Sequence, residues 1–182
     1  VITHTPAWLD SSAADALLAA CRLLDWHQRS VVIFGKKIAQ PRLVAYIAPT
    51  GEGYSYSGLR LTPEASPDWA SSLLERVSAA AGETFNSILL NRYRDGKDGI
   101  GWHSDDEKEL GADPIVASLS LGSARTFLTR LRAGCASTGT ALGHGDLCVM
   151  PRGFQASHVH SISKTAKPVG ERVSLTFRKI CL

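Results

Sequence analysis

His103-Ser104-Asp105, the histidines of His158-Val159-His160, and the arginines Arg172 and Arg178 are the residues of this 182-residue chain best suited to chemistry. Two histidines and one carboxylate on a single face of a metal leave the opposite positions open. Non-haem Fe(II) oxygenases need that arrangement for a cosubstrate and oxygen. Residues two apart on an extended strand project to the same side, so His103 and Asp105 can converge on one ion. The same period puts Arg172, Ser174, Thr176 and Arg178 on one face of a strand, with Val173, Leu175 and Phe177 toward the core. Six steps of ~3.3 Å separate the two arginine backbones by ~20 Å. Side chains leaning inward would frame a gap for a short dicarboxylate, which guanidinium forks bind well. Taken alone, such arginines read as solvated strand residues; their place twelve residues after His160 turns the reading toward a site.

A second H-x-D, His144-Gly145-Asp146, competes for the metal. Its flanking Gly143 and internal Gly145 mark a turn before the apolar run Leu147 to Met150. It stands sixteen residues before His160, whereas His103 stands fifty-seven before it. The longer separation lets two distant strands meet across a barrel, so His144 reads as a turn residue. His158 shares a face with His160 and is equally able to reach inward. Zinc on two histidines and an aspartate would give a Lewis-acid hydrolase, but a hydrolase has no evident use for the paired arginines.

The elements that must position these groups are mostly strands. Helices are expected over Ser12 to Leu24, capped by Asp10 or Ser11, and over Asp68 to Ala81, with Pro67 before it and Gly82 after it. Short β-rich runs follow at Phe85 to Tyr93, Ile115 to Leu121, Thr126 to Leu131, Leu147 to Met150, Val159 to Ile162 and Val173 to Ile180. Taken alone, Val31 to Lys37 is a core strand and its turn. Many short strands point to a mostly β chain with flanking helices (α+β), a sandwich or barrel rather than a parallel sheet.

Composition bounds the rest. A 182-residue chain that is 44% hydrophobic buries one substantial core and fits one domain. Its net charge of +3 is too mild to establish nucleic-acid binding unless positive residues cluster. Lys36, Lys37 and Arg42 form one such group, and Lys164, Lys167 and Arg172 another; ordinary solvated lysines explain each equally well. The four cysteines show no C-x-x-C spacing, which fits reduced thiols. No run approaches a membrane span, and the N-terminus lacks a signal pattern. A protein that is not secreted is expected, cytoplasmic in a bacterium or nuclear in a eukaryote.

Asn91-Arg92-Tyr93, Trp102-His103-Ser104-Asp105-Asp106-Glu107, His160-Ser161 and Arg172-Val173-Ser174-Leu175-Thr176-Phe177-Arg178-Lys179-Ile180 resemble the AlkB family of Fe(II)/2-oxoglutarate dioxygenases. Within it the chain is most similar to the nucleic-acid repair branch, over a stretch from about Val31 to the C-terminus. The H-x-D element alone is weak; in order with Asn91-x-Tyr93 and the two arginines it is specific. The resemblance implies a double-stranded β-helix (jelly-roll) core with helices on one outer face. It implies a single dioxygenase domain over 1–182 with a nucleotide-recognition segment at about 31–62. His103, Asp105 and His160 would ligate Fe(II), and Asn91, Tyr93, Arg172, Thr176 and Arg178 would hold 2-oxoglutarate, with O2 as the oxidant. The family more often has Asn where Ser174 stands, so the side chain at that cosubstrate contact is shorter here.

The resemblance also implies a substrate side. Phe34, at the end of Val31-Val32-Ile33-Phe34-Gly35-Lys36-Lys37, resembles a hairpin tip that wedges into duplex DNA, with Lys36 on phosphate. Tyr54, Tyr56 and Ser57 resemble a lid that stacks on an extruded base. Glu107 matches an acidic residue facing the damaged base, where it favours bases made cationic by N-alkylation; its plain alternative is a solvated turn carboxylate. His158 would be a neighbouring or nucleic-acid contact. The implied activity is oxidative dealkylation of DNA carrying 1-methyladenine or 3-methylcytosine, with etheno adducts as a further class, by a monomeric enzyme. The alternatives are an RNA or protein demethylase or hydroxylase of the same family, and a nucleic-acid-binding module without turnover.

Overall fold

The antiparallel pair Ser87–Tyr93 and Arg172–Arg178 forms the centre of the molecule, with Leu175 opposite Leu90 and Ser174 opposite Asn91. The computed structural model describes every residue except Phe34, Thr50, Glu52, Gly53, Ser57, Gly58, Glu64 and Leu182; it does not describe the side chains of Ile33, Tyr54–Tyr56 and Leu59–Leu61. In chain order the elements are β1 (Thr3–Thr5), α1 (Ser11–Arg22), β2 (Ser30–Ile33), β3 (Lys36–Ala39), β4 (Leu43–Ile47), β5 (Tyr54–Tyr56), β6 (Leu59–Leu61) and α2 (Trp69–Ala81). They continue with β7 (Ser87–Tyr93), β8 (Ile100–His103), β9 (Val116–Gly122), β10 (Arg125–Leu131), β11 (Ser137–Leu142) and β12 (Leu147–Met150). The last are a single helical turn α3 (Phe154–Ser157), β13 (His158–Ile162) and β14 (Arg172–Arg178).

Two antiparallel sheets build the core. The larger runs β1-β12-β9-β14-β7-β4 and the smaller β11-β10-β13-β8; from β7 to β14 the chain crosses between the sheets at every step except the β10–β11 hairpin, as in a jelly roll. α1 and α2 cover the outer face of the larger sheet. Ala70, Leu73, Leu74 and Val77 bury one stripe of α2, and Ala14, Leu18 and Cys21 one stripe of α1. Both pack on Ile88, Leu90, Leu119, Leu121, Val173, Leu175 and Phe177. Asp10 caps α1, its Oδ1 accepting from the Ala13 N–H at 2.8 Å, and left-handed Gly82 (φ 66°) ends α2.

The polar face of β14 is not solvated. All seven residues of the strand are buried, so Arg172, Ser174, Thr176 and Arg178 look into the space between the sheets. Burying two arginines there is costly unless something anionic meets them.

Several elements depart from the sequence expectation. The run Val31 to Lys37 is not a core strand: β2 and β3 form a hairpin of their own, with Val32 72% and Ile38 46% exposed. The expected strand over Val173 to Ile180 stops at Arg178, because the Ile180 N–H turns to Asn86 Oδ1 at 2.7 Å. β11 carries Ser, Thr and Gly where strand propensity asks for branched or aromatic residues; it forms because it pairs along its whole length with β10 at the sheet edge.

Candidate metal centre

Antiparallel pairing of β13 with β8 places His160 directly opposite His103, and their rings lie 4.2 Å apart between centroids. β8 ends at His103, so Asp105 stands past the strand rather than on it. Its backbone N–H leaves the ladder and donates to Gln155 Oε1 at 3.0 Å, which turns the side chain back inward. Among the described residues, His103, Asp105 and His160 form the one histidine and carboxylate cluster with metal-ligand geometry, their ligand atoms all within 4.8 Å of one another.

The protonation states suit a metal. Nδ1 of His103 lies 2.9 Å from the carbonyl oxygen of Gly101 and donates to it, which leaves Nε2 with a lone pair for an ion. Burial lowers the pKa of His103, against the pull of Asp105. Burial and the neighbouring His103 push His160 down to about 3. Both rings are therefore neutral at physiological pH, the form a metal requires. Burial works against the Asp105 carboxylate, but Arg178 and the two histidines outweigh it and hold the group below its ordinary value.

Beside the triad, Asn91, Tyr93, Arg172, Ser174, Thr176 and Arg178 line the same cavity, closed on other sides by Phe127, Met150 and Ile162. Arg172 donates through Nη2 to Ser120 Oγ at 2.8 Å, while its buried Nε and Nη1 have no well-formed hydrogen bond. Arg178 donates through Nη2 to Asp105 Oδ1. Asp105 Oδ2 is buried without a hydrogen-bond donor and lies 3.7 Å from His160 Nε2. A buried, donor-free carboxylate oxygen beside two neutral imidazoles fits Fe(II), and a buried guanidinium that meets only Ser120 and Tyr93 keeps N–H groups that fit a dicarboxylate.

The rival H-x-D is structural. His144 Nδ1 accepts the Gly122 N–H at 2.9 Å, and Asp146 takes N–H groups from Gly143 and Ala7 and pairs with His4. Gly145 (φ 82°) makes this turn possible, since a Cβ there would stand 2.4 Å from the Leu9 carbonyl oxygen. His158 stacks on Phe154 at 4.8 Å and bonds Ser157 Oγ, so it flanks the triad without joining it.

The substrate-side residues divide. Lys36 is exposed on β3. Glu107 is half-buried just before the 3-10 turn Lys108–Leu110 and is not among the residues lining the cavity. Tyr54 and Tyr56 lie on β5, paired with β6, and their side chains are outside the described residues, as are Phe34 and Ser57 altogether.

Two members of the expected basic clusters are not surface cations. Arg172 is 2% exposed, and Arg42 is 4% exposed, its Nε donating to Asn91 Oδ1 at 2.8 Å. Arg42 orients a cavity residue, and Gln155 holds Asp105. Neither role has a signal in the sequence, because each depends on a partner far along the chain.

The family model of the 2OG-Fe(II) oxygenase superfamily matches residues 1–178. The chain belongs to that superfamily. Fe(II), 2-oxoglutarate and oxygen come with membership, and the donor set just described fits them. The chain is 37% identical over 188 residues to the rat alpha-ketoglutarate-dependent dioxygenase alkB homolog 3, covering 96% of this chain and 62% of the relative. It is 38% identical over 160 residues to the human DNA oxidative demethylase ALKBH2, covering 84% and 61%. These AlkB homologues agree with the motif resemblance, and the chain spans a little under two thirds of their length. Among solved structures, that of OsALKBH1 superposes with a TM-score of 0.71 at 16% identity, over 98% of this chain and 97% of the other. A 2OG-Fe(II) oxygenase family oxidoreductase from Burkholderia pseudomallei superposes with a TM-score of 0.61 at 17% identity, over 97% and 84%. At that identity the two share the fold. No helix among the described residues is long and apolar enough to cross a membrane.

Proposed function

We propose that this chain is an Fe(II)- and 2-oxoglutarate-dependent dioxygenase that removes alkyl groups oxidatively from N-alkylated bases in DNA, acting as one domain and as a monomer. The observation that carries the reading is the convergence of His103, Asp105 and His160 beside two buried arginines on β14. In this reading His103, Asp105 and His160 ligate the iron. Arg172 and Arg178 take the carboxylates of 2-oxoglutarate, with Asn91, Tyr93 and Thr176 lining the same place.

When bound, iron with 2-oxoglutarate and oxygen supplies the oxidation of the N-linked alkyl carbon; the hydroxylated adduct then releases an aldehyde and the restored base. The protein's part is position and exclusion of water. Neutral His103 and His160 enter the site without carrying protons that must be lost, and the Gly101 carbonyl keeps His103 in the right tautomer. Phe127, Ile162 and Met150 wall the cavity with apolar surface, which keeps the reacting carbon dry.

DNA as substrate is supported by the names of the relatives and by the exposed hairpin. Val32 and Ile38 leave apolar surface in solvent next to exposed Lys36 and Lys37, the combination that fills a vacated base stack and holds phosphate. A methyl group on the pairing edge lies inside a duplex, so the base must be extruded; Phe34 is the proposed wedge, Tyr54, Tyr56 and Ser57 the lid, and Glu107 the group that favours cationic bases. Such an enzyme works where the nucleic acid is, in a bacterial cytoplasm or a eukaryotic nucleus.

The test uses paired single- and double-stranded DNA and RNA oligomers, each carrying one 1-methyladenine or 3-methylcytosine, with Fe(II), 2-oxoglutarate and air. Aldehyde and base restoration on DNA support the proposal. Restoration on RNA alone reassigns the substrate, and absence of succinate with every oligomer overturns the nucleic-acid demethylase reading in favour of a protein substrate or a binding module.

A further inference from the structure

We infer that Gln155 is a positioning residue that sets the aim of the Asp105 carboxylate; the inference rests on the reading of Asp105 as a metal ligand. The ladder between β8 and β13 carries His103 and His160 but stops there. Asp105 sits beyond it, buried to 1% exposure, and its backbone N–H has no strand partner. Gln155, also 1% exposed, supplies the acceptor from α3 at 3.0 Å.

The amide has one sensible orientation. Its other end, Nε2, donates to the Met150 thioether at 3.4 Å; turning the amide over would set the Nε2 donor against the Asp105 N–H and the oxygen against a sulfur that has no proton to give. Oε1 must therefore face the Asp105 N–H. The backbone of Gln155 is itself held, its carbonyl accepting from Arg132 Nη2 at 2.9 Å. The same Nη2 reaches Asp106 Oδ2 at 2.5 Å, and Ser104 Oγ donates to the His158 carbonyl at 2.7 Å. Three consecutive residues, Ser104, Asp105 and Asp106, are thus tied to the segment leading into His160. The backbone tie at Asp105 is made by a side chain alone, so a single substitution removes it. Loss of the acceptor frees the peptide that carries Asp105 to rotate and leaves the carboxylate held through Arg178 only, so its aim between the two imidazoles is no longer fixed from the backbone side. Groups that orient metal ligands in this way are worth about 10- to 100-fold in metal affinity.

The experiment titrates Co(II), a spectroscopic stand-in for Fe(II), into the whole metal-free chain and follows the visible absorption band and the heat of binding. Gln155→Met keeps the length and bulk of the side chain and removes the acceptor. It is expected to retain the wild-type circular dichroism spectrum, to bind Co(II) about 10- to 100-fold more weakly, and to shift the absorption band. Arg132→Met is the comparison: it loosens the same segment but leaves the Gln155 oxygen on Asp105, and is expected to bind Co(II) within about threefold of wild type.

Equal Co(II) affinity and an unchanged band in folded Gln155→Met overturn the inference while leaving the metal site standing. Wild type that takes up no Co(II) overturns the site itself. Should Gln155→Met fail to fold, amide exchange in the wild-type protein decides. The Asp105 N–H is expected to exchange as slowly as the N–H groups of the β8–β13 ladder, and exchange as fast as an exposed loop amide overturns the inference.

Discussion

Arg178 donates through Nη2 to the carboxylate of Asp105, joining the last residue of β14 to the loop after β8. Both are buried, at 3% and 1% exposure, so the guanidinium stabilises a negative charge that burial alone would neutralise. Removing one partner of such a pair leaves an uncompensated buried charge, worth about 3–5 kcal/mol. Arg178→Met is therefore expected to lower the unfolding free energy of the metal-free protein by about that amount in urea titration. A loss under about 1 kcal/mol would show that the pair contributes little to the fold.

The two H-x-D elements separate cleanly by substitution. His103→Ala or Asp105→Ala should abolish 2-oxoglutarate-dependent aldehyde release from methylated DNA, because each removes one of three ligands. His144→Ala should retain activity, since His144 accepts a backbone N–H from Gly122 and lies outside the cluster. A folded but inactive His144→Ala protein would falsify the metal assignment.

Much of this is legible in the sequence. Local signals carried far: the cap at Asp10, the stripe of α2 and Gly82 after it, and the alternation of β14 all depend on residues close together in the chain. The spacing of His103, Asp105 and His160 was legible because ligand chemistry restricts residue types. What stayed hidden depends on distant partners. Arg42 reads as a surface cation until Asn91, on the strand paired with β4, is seen to accept from it. Asp105 reads as a strand residue until β8 is seen to stop two residues earlier. β11 is invisible because its composition is that of a loop and only pairing with β10 makes it a strand.

Arg42 predicts a split in kinetic constants. Its Nε fixes the Asn91 side-chain oxygen at 2.8 Å, which leaves the amide nitrogen as the end able to donate into the cavity. Arg42→Met frees that amide to rotate. The KM for 2-oxoglutarate is expected to rise about tenfold, the equivalent of ~1.4 kcal/mol, with kcat little changed. Steady-state kinetics at varied 2-oxoglutarate decide it, and an unchanged KM with depressed kcat would move Arg42 from cosubstrate binding to another role.

The hairpin predicts dependence on strand state. Phe34, the proposed wedge, is outside the described residues, but Val32 and Ile38 expose apolar surface beside Lys36 and Lys37. Extruding a base from a duplex costs a few kcal/mol, a cost absent in a single strand. Phe34→Ala should therefore slow repair of duplex DNA about tenfold or more and single-stranded DNA far less. Equal losses on both would remove the wedge from the proposal.

Asp146 sets an acid limit far from the metal. Its carboxylate accepts N–H groups from Gly143 at 2.8 Å and Ala7 at 2.9 Å and pairs with His4 at 2.9 Å, tying the N-terminal segment to the turn before β12. Burial pushes its pKa up, but these bonds outweigh burial and hold it below the ordinary carboxylate value. The native state therefore takes up this proton at lower pH than the unfolded chain does. The stability it contributes is complete above the unfolded value, about 3.9, and is lost as pH falls through the lower folded value. Thermal melts of wild type and Asp146→Asn should differ most at pH 5 to 7, with wild type higher, and the two curves should converge as pH falls below about 4. A gap that stays constant down to pH 2 would mean that the turn is held by packing of Leu9 and Gly145 and not by the ionised carboxylate.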